Sequence, residues 1–140
     1  MADLHLGKRV NEFLMIDEQK HILNQIFEIA VNNKIDAVII AGDIYDKSIP
    51  NNDAVILLDD FLTRLTLENI AVIIISGNHD SSERLNFGSR LMEKNDVYIN
   101  GIFDGKLKKV VLNDEYGDIN IYTLPFVKPA QVSAFYPDAE

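Results

Sequence analysis

The chain has 140 residues, a formal net charge of −9, 47% apolar and 25% charged residues, and no cysteine. That length supports one domain with a real core, while the missing cysteines exclude disulfides, thiolate zinc sites and cysteine nucleophiles and fit a reducing, cytoplasmic compartment. The acidity argues against a protein that grips nucleic acid by phosphate neutralisation alone, though not against an enzyme whose acidic ligands hold cations, and no apolar run approaches the roughly 20 residues of a membrane helix.

Met1 to Gly7 carries the pattern Asp3-x-His5, too close to the start for a strand to precede it. Lys8 to Phe13 is polar and is expected to be a loop. From about Asp17 to Asn33 apolar residues recur at helical spacing: Ile22, Ile26 and Ala30 on one stripe, Leu23, Phe27 and Val31 on the next. Asp17 is the expected N-cap, Asn32-Asn33 the stop, and His21 a solvated surface residue. Ile35 to Ala41 is a buried-strand run that ends in Gly42-Asp43. After a loop in which Asp46 and Lys47 are either turn residues or face a substrate, Asn51 to Glu68 has helical spacing and a wide apolar face that includes Ile56, Leu57 and Phe61.

Asn69 to Ser76 is the next buried strand, and it ends in Gly77-Asn78-His79-Asp80. A helix capped by Ser81 or Ser82 is expected to run to about Asn95, weakened by Gly88, with a short strand at Val97 to Ile99 after it. Beyond Asn100 the alternation of strand and helix gives way to a hairpin: Lys108 to Leu112 and Ile119 to Leu124 around Asn113 to Asp118. Val127 to Glu140 shows no clear element. The expected class is α/β, with layered sheets flanked by helices.

Asp-x-His, Gly-Asp and Gly-Asn-His-Asp occur in that order, the last two each at the end of an apolar run, where an open α/β sheet presents its site. Aspartate, histidine and asparagine suit Mn, Fe, Zn or Mg. Two cations about 3.5–4 Å apart need one bridging carboxylate, and an aspartate fixed by a Gly-Asp turn can supply it. Asp3 and His5 reach one ion only if the backbone turns between them, which a loop past a strand end can do. Asn78 offers a carbonyl oxygen to the other ion, and His79 is left to protonate a leaving oxygen or hold a phosphoryl oxygen. Such a set suits hydrolysis of a phosphate ester. The chain has no phosphate-binding G-x-x-x-x-G-K-[ST], no dinucleotide G-x-G-x-x-G and no G-x-S-x-G elbow.

These motifs resemble the signature of the calcineurin-like metallophosphoesterases. Asp3 to Lys8, Ala41 to Asp46 and Ser76 to Ser81 are similar to the SbcD branch, and the likeness extends to Tyr122 to Phe126, so it covers nearly the whole chain. The resemblance implies an exonuclease and endonuclease acting on DNA ends and hairpins, with two divalent ions, manganese preferred over magnesium or iron. It implies Asp3, His5, Asp43 and Asn78 as metal ligands and His79 as the catalytic residue. A homodimer through helices near the site, an SbcC-type ATPase partner and a cytoplasmic, membrane-free location follow from it too. The family has a strand before Asp-x-His and further histidine motifs that these 140 residues lack. Residues 1–140 are therefore expected to be a phosphoesterase domain truncated at both ends and inactive by itself. Two other readings stand beside this one: a phosphoesterase for nucleotides or phosphoproteins, and a non-catalytic dimerisation or ATPase-docking module, supported by the wide apolar face of Asn51 to Glu68.

Overall fold

In a computed structural model that describes residues 1–138, the chain runs through β1 (Arg9–Val10), β2 (Phe13–Leu14), α1 (Ile16–Asn32), β3 (Ala37–Ala41), α2 (Asn52–Leu67) and β4 (Ala71–Ile75). It continues through α3 (Ser82–Leu85), α4 (Ser89–Met92), a 3-10 turn (Glu93–Asn95), β5 (Val97–Asn100), β6 (Lys108–Asp114), β7 (Gly117–Thr123) and α5 (Pro129–Phe135). β3, β4 and β5 form a parallel sheet in that order, with Ile39 opposite Ile73 and Ile73 opposite Tyr98. β4 is the central strand, and its β-branched run is buried because parallel sheets carry crossovers on their faces. The α/β class is as expected.

The core lies between this sheet and α1 and α2. Phe61 and Leu65 of α2, Ile40, Val72 and Ile74 of the sheet, and Leu23 and Ala30 of α1 meet there. Burying one such side chain contributes about 1.5–3 kcal/mol. α2 starts where Asn51 accepts the backbone N–H of Ala54 at 2.8 Å, an N-cap that replaces a lost backbone partner. Its apolar face divides: Leu57, Leu58, Phe61 and Leu65 are buried, whereas Val55 and Ile56 are exposed. α1 and α2 are joined by the Arg64 guanidinium, which lies 4.0 Å over the Phe27 ring and donates to Asn24.

Met1 to Leu6 runs along the outer edge of β3 and the loop after it. The Met1 ammonium donates to Ile39 O (2.7 Å), Ala41 N–H to Met1 O (2.8 Å), Asp3 N–H to Gly42 O (3.1 Å) and His5 N–H to Asp43 O (2.9 Å). This pairing carries Asp-x-His to the same sheet edge that ends in Gly42-Asp43.

Four details depart from the sequence expectations. Lys8 to Phe13 is not loop throughout: Arg9 pairs with Leu14 and Val10 with Phe13 around a tight turn in which Asn11 takes a positive φ of 56°. The α1 N-cap is Met15, without a side-chain cap bond, and Asp17 sits in the first turn, where its charge favours the helix dipole. The helix expected from Ser81 to Asn95 breaks at Asn86 to Gly88 into α3 and α4, because Gly88 takes a φ of 74°, which no helix interior holds. Val127 to Glu140 contains α5, started by Pro129 at its first turn. His21 is exposed, as expected. No described helix is long and apolar enough to cross a membrane.

Candidate metal centre

Asp3, His5 and Asp43 each place a ligand atom so that all lie within 4.8 Å of one another. The His5 Nε2 is 4.0 Å from Asp3 Oδ1 and 3.9 Å from Asp43 Oδ2. Those separations are too long for hydrogen bonds and suit atoms about 2.0–2.2 Å from a shared cation. The donor set, two carboxylates and an imidazole, fits Mn, Fe or Zn, so the residues present fit the metal ion the motifs imply.

Backbone geometry explains how neighbours in sequence reach one point. Asp3, His5 and Asp43 all take positive φ, 57°, 44° and 50°. Each such residue costs on the order of 1–3 kcal/mol and persists only where its surroundings over-determine it. The turn that the sequence demanded between Asp3 and His5 is therefore a left-handed one at both residues.

Two side chains that the motif reading passed over hold these loops. Gln19 of α1 donates to the Leu4 and His5 carbonyls at 3.1 and 2.7 Å and accepts the Gly7 N–H at 2.9 Å, so it clasps the Asp-x-His segment. Asp80 accepts Ile44 N–H (3.1 Å) and Gly77 N–H (2.9 Å) on Oδ2 and Tyr45 N–H (3.0 Å) on Oδ1. Asp43 answers by accepting His79 N–H at 3.0 Å. The loops after β3 and β4 are thus bound to each other in both directions. Asp80→Asn turns an NH2 toward backbone donors and loses at least one of these bonds. It is expected to lower stability by about 1–3 kcal/mol, measured by chemical denaturation.

Asn78 and His79 stand on two sides of the cluster. Asn78 lines a cleft of about 320 Å³ with Asp3, Asp43, Gly77 and the Leu124 to Phe126 segment. The His79 ring meets the His5 ring edge-on, centroids 4.9 Å apart. Its Nδ1 lies 3.2 Å from the Asp46 carbonyl, which can only accept, so Nδ1 carries the proton and Nε2 is free. Asp46 Oδ1 also sits 3.8 Å from His5 Nδ1, which is buried without a hydrogen-bond partner. Asp46 therefore belongs to the site rather than to a plain turn. The Tyr45 phenol beside it is pushed up to about 12 by burial, with Asp80 and Asp59 adding to the effect, and stays neutral.

Asp3, His5, Asp43, Asn78 and His79 meet at the C-terminal edge of one parallel sheet. Carboxylates and imidazoles gathered past the ends of parallel strands are the frame of a metal-dependent phosphoesterase. This chain belongs to the calcineurin-like phosphoesterase family, whose sequence profile matches residues 1–139. It is 39% identical over 138 residues to a Staphylococcus saprophyticus protein named as the SbcD component of the SbcCD nuclease, a match covering 98% of this chain and 36% of that protein. The chain thus spans about a third of the length of the curated relative it matches.

Proposed function

We propose that this chain supplies the first part of a divalent-metal nuclease that hydrolyses DNA phosphodiester bonds, as an exonuclease and at hairpins. The observation that carries the reading is the close grouping of Asp3, His5 and Asp43 with the His79 imidazole beside it. The name of the Staphylococcus relative, a subunit of the SbcCD nuclease, supports a nucleic acid as the substrate and an SbcC subunit as partner; DNA as that nucleic acid and ATPase activity in that partner are what the motif resemblance implies. Two ions, manganese preferred, are proposed: one among Asp3, His5 and Asp43, the other between Asp43 and Asn78. A cytoplasmic location goes with the same reading. A second copy of the chain is proposed to cover the exposed Val55 and Phe87, which line one cleft with Tyr45.

Divalent ions held there supply a lowered water pKa and neutralise phosphoryl charge. The chain's own residues do the rest. Asp43, held by His79 N–H, fixes the spacing of the ligands. His79, with Nδ1 tied to the Asp46 carbonyl, leaves Nε2 free, and the protonated ring could donate from it to the leaving oxygen of a bound phosphate ester. Tyr45 and the Leu6 side chain wall the site from the core below.

In the protein that carries this chain, His79→Ala is expected to leave manganese binding nearly intact and to lower DNA turnover by about 10²–10⁴. Calorimetric manganese titration beside digestion of single-stranded DNA checks both halves. Loss of manganese binding comparable to that of an Asp43 variant would refute the role given to His79. Turnover of a small phosphodiester without any of DNA would favour the nucleotide or phosphoprotein reading.

A further inference from the structure

A cleft of about 310 Å³ opens between β5, the outer strand of the parallel sheet, α4 with the turn after it, and β6 of the hairpin. It shares no lining residue with the cleft of the metal centre. Arg90, Lys108 and Lys109 line it together with Glu93, three cations to one carboxylate in a chain of net charge −9. None of the three cations is in an ion pair among the described residues. Like charges gathered without partners repel, and an anion among them relieves that.

The second feature is Asn100, at the end of β5 and 3% exposed. Its Nδ2 donates to the carbonyl and hydroxyl oxygens of Thr123 at 3.1 and 3.0 Å. A carbonyl oxygen can only accept, so this pairing fixes which way the amide points. The Asn100 Oδ1 is left buried, with no hydrogen-bond partner among the described residues. Asn100 lines the cleft, so an N–H donor arriving there can satisfy this oxygen. Beside it the Tyr98 ring forms an aromatic wall, held by its hydroxyl, which donates to Asp96 at 3.0 Å.

We propose that this cleft binds a nucleoside monophosphate whose base carries an exocyclic amino group, such as dAMP. The phosphate lies among Arg90, Lys108 and Lys109, the amino group donates to Asn100 Oδ1, and the base packs on Tyr98. A phosphate monoester carries about −1.5 to −2 charges at neutral pH, which matches three cations offset by one carboxylate. The cleft is near the lower end of the roughly 300–1,000 Å³ of small-molecule sites, so it takes one nucleotide rather than a strand. A nucleotide without the amino group leaves the Asn100 oxygen unpaired, and a site built around a buried polar group rejects such an analogue. The proposal does not depend on the nuclease reading, because none of these residues belongs to the metal cluster.

The test is calorimetric titration of dAMP into the protein that carries this chain, with a chelator present so that no metal-held phosphate contributes. One saturable site is expected. The analogue with purine in place of adenine lacks only the amino group and should bind roughly tenfold more weakly. Inorganic phosphate should bind more weakly still. Arg90→Ala with Lys109→Ala should weaken dAMP binding by roughly tenfold or more. Lys20→Ala with Lys34→Ala removes the same charge from exposed positions on and after α1 and should leave dAMP binding unchanged. Asn100→Ala should erase the preference for dAMP over the purine analogue; if that variant does not fold, the two ligands on the wild type still decide. Absence of saturable dAMP binding, equal affinity for dAMP and the analogue, a preference that survives Asn100→Ala, or an equal loss in the Lys20, Lys34 variant overturns the site. Binding of dAMP no tighter than that of inorganic phosphate marks an anion site only and overturns the nucleotide assignment.

Discussion

In the protein that carries this chain, Asp43→Ala is expected to abolish the gain in thermal stability that manganese gives the wild type, and with it all metal-dependent turnover. Asp43 is 8% exposed, and one carboxylate oxygen faces His5 Nε2 while the other accepts the His79 N–H. A cation that binds only the folded chain stabilises it by mass action, by about 2.7 kcal/mol at a hundredfold excess over Kd. For a domain of this size that is on the order of 10 °C in Tm. Loss of a group that merely supports a ligand costs roughly 10–100-fold in metal affinity, so loss of Asp43, proposed above as a ligand to both ions, is expected to cost more. Without metal the sign differs. Asp43 lies near the Asp3 and Asp46 carboxylates, and removing it relieves like-charge repulsion in exchange for one backbone hydrogen bond. The metal-free variant is therefore expected to melt close to wild type. Thermal melts of both proteins with and without manganese decide the matter, and a retained manganese shift in Asp43→Ala would remove Asp43 from the site.

The apolar runs of the sequence led to the sheet because burial acts on many residues at once, yet only β4 is the buried strand expected: in β3 Ile40 alone is buried, and Ile35 and Ile39 are exposed. Ala71 to Ile74 are buried and Ile75 half-buried, and a run of β-branched residues admits few alternatives. Elements held by few residues were harder to see. β1 and β2 have two residues each, too few for alternation to register, and their turn depends on one left-handed asparagine. The interruption at Asn86 to Gly88 turns on one glycine's φ, which composition marks only as weakened helix.

The candidate ligands were legible because metal chemistry restricts residue type and the sheet restricts position. The residues that aim them were not. Gln19 sits inside an ordinary amphipathic helix, and nothing in its neighbours shows that its amide spans three backbone groups of the Asp-x-His loop. Asp80 stands in the motif, yet its role is to accept backbone donors 35 and 36 residues away, which no local pattern encodes. The positive φ values of Asp3, His5 and Asp43 are likewise a product of these contacts. Type and order of the candidate ligands come from local sequence, whereas their convergence comes from long-range hydrogen bonds.

Gly77→Ala is expected to be the most damaging single methyl in the chain. A Cβ built on Gly77 falls inside the Asp43 carboxylate and its backbone nitrogen, far within the roughly 3.5–4.0 Å of an ordinary contact. Neither obstacle is a mobile side-chain end. The Asp43 backbone is held by His5 N–H on its carbonyl, and Asp80 fixes Ile44 and Tyr45 after it. Gly42 cannot yield either, since a Cβ there would lie 3.0 Å from the Gly77 Cα and its φ is 88°. The loops after β3 and β4 approach so closely because both carry glycine at the crossing. Overpacking of this kind costs about 1–3 kcal/mol when side chains can shift, and more when backbone must. The added methyl also pushes Asp43 away from Asp3 and His5, so manganese affinity falls together with stability. Denaturation and manganese titration of Gly77→Ala should thus report two losses. Asp80→Asn should show the same pair in weaker form, since it loosens the same crossing without forcing it apart. A Gly77→Ala protein with wild-type stability and manganese affinity would mean that the two loops do not cross as closely as described.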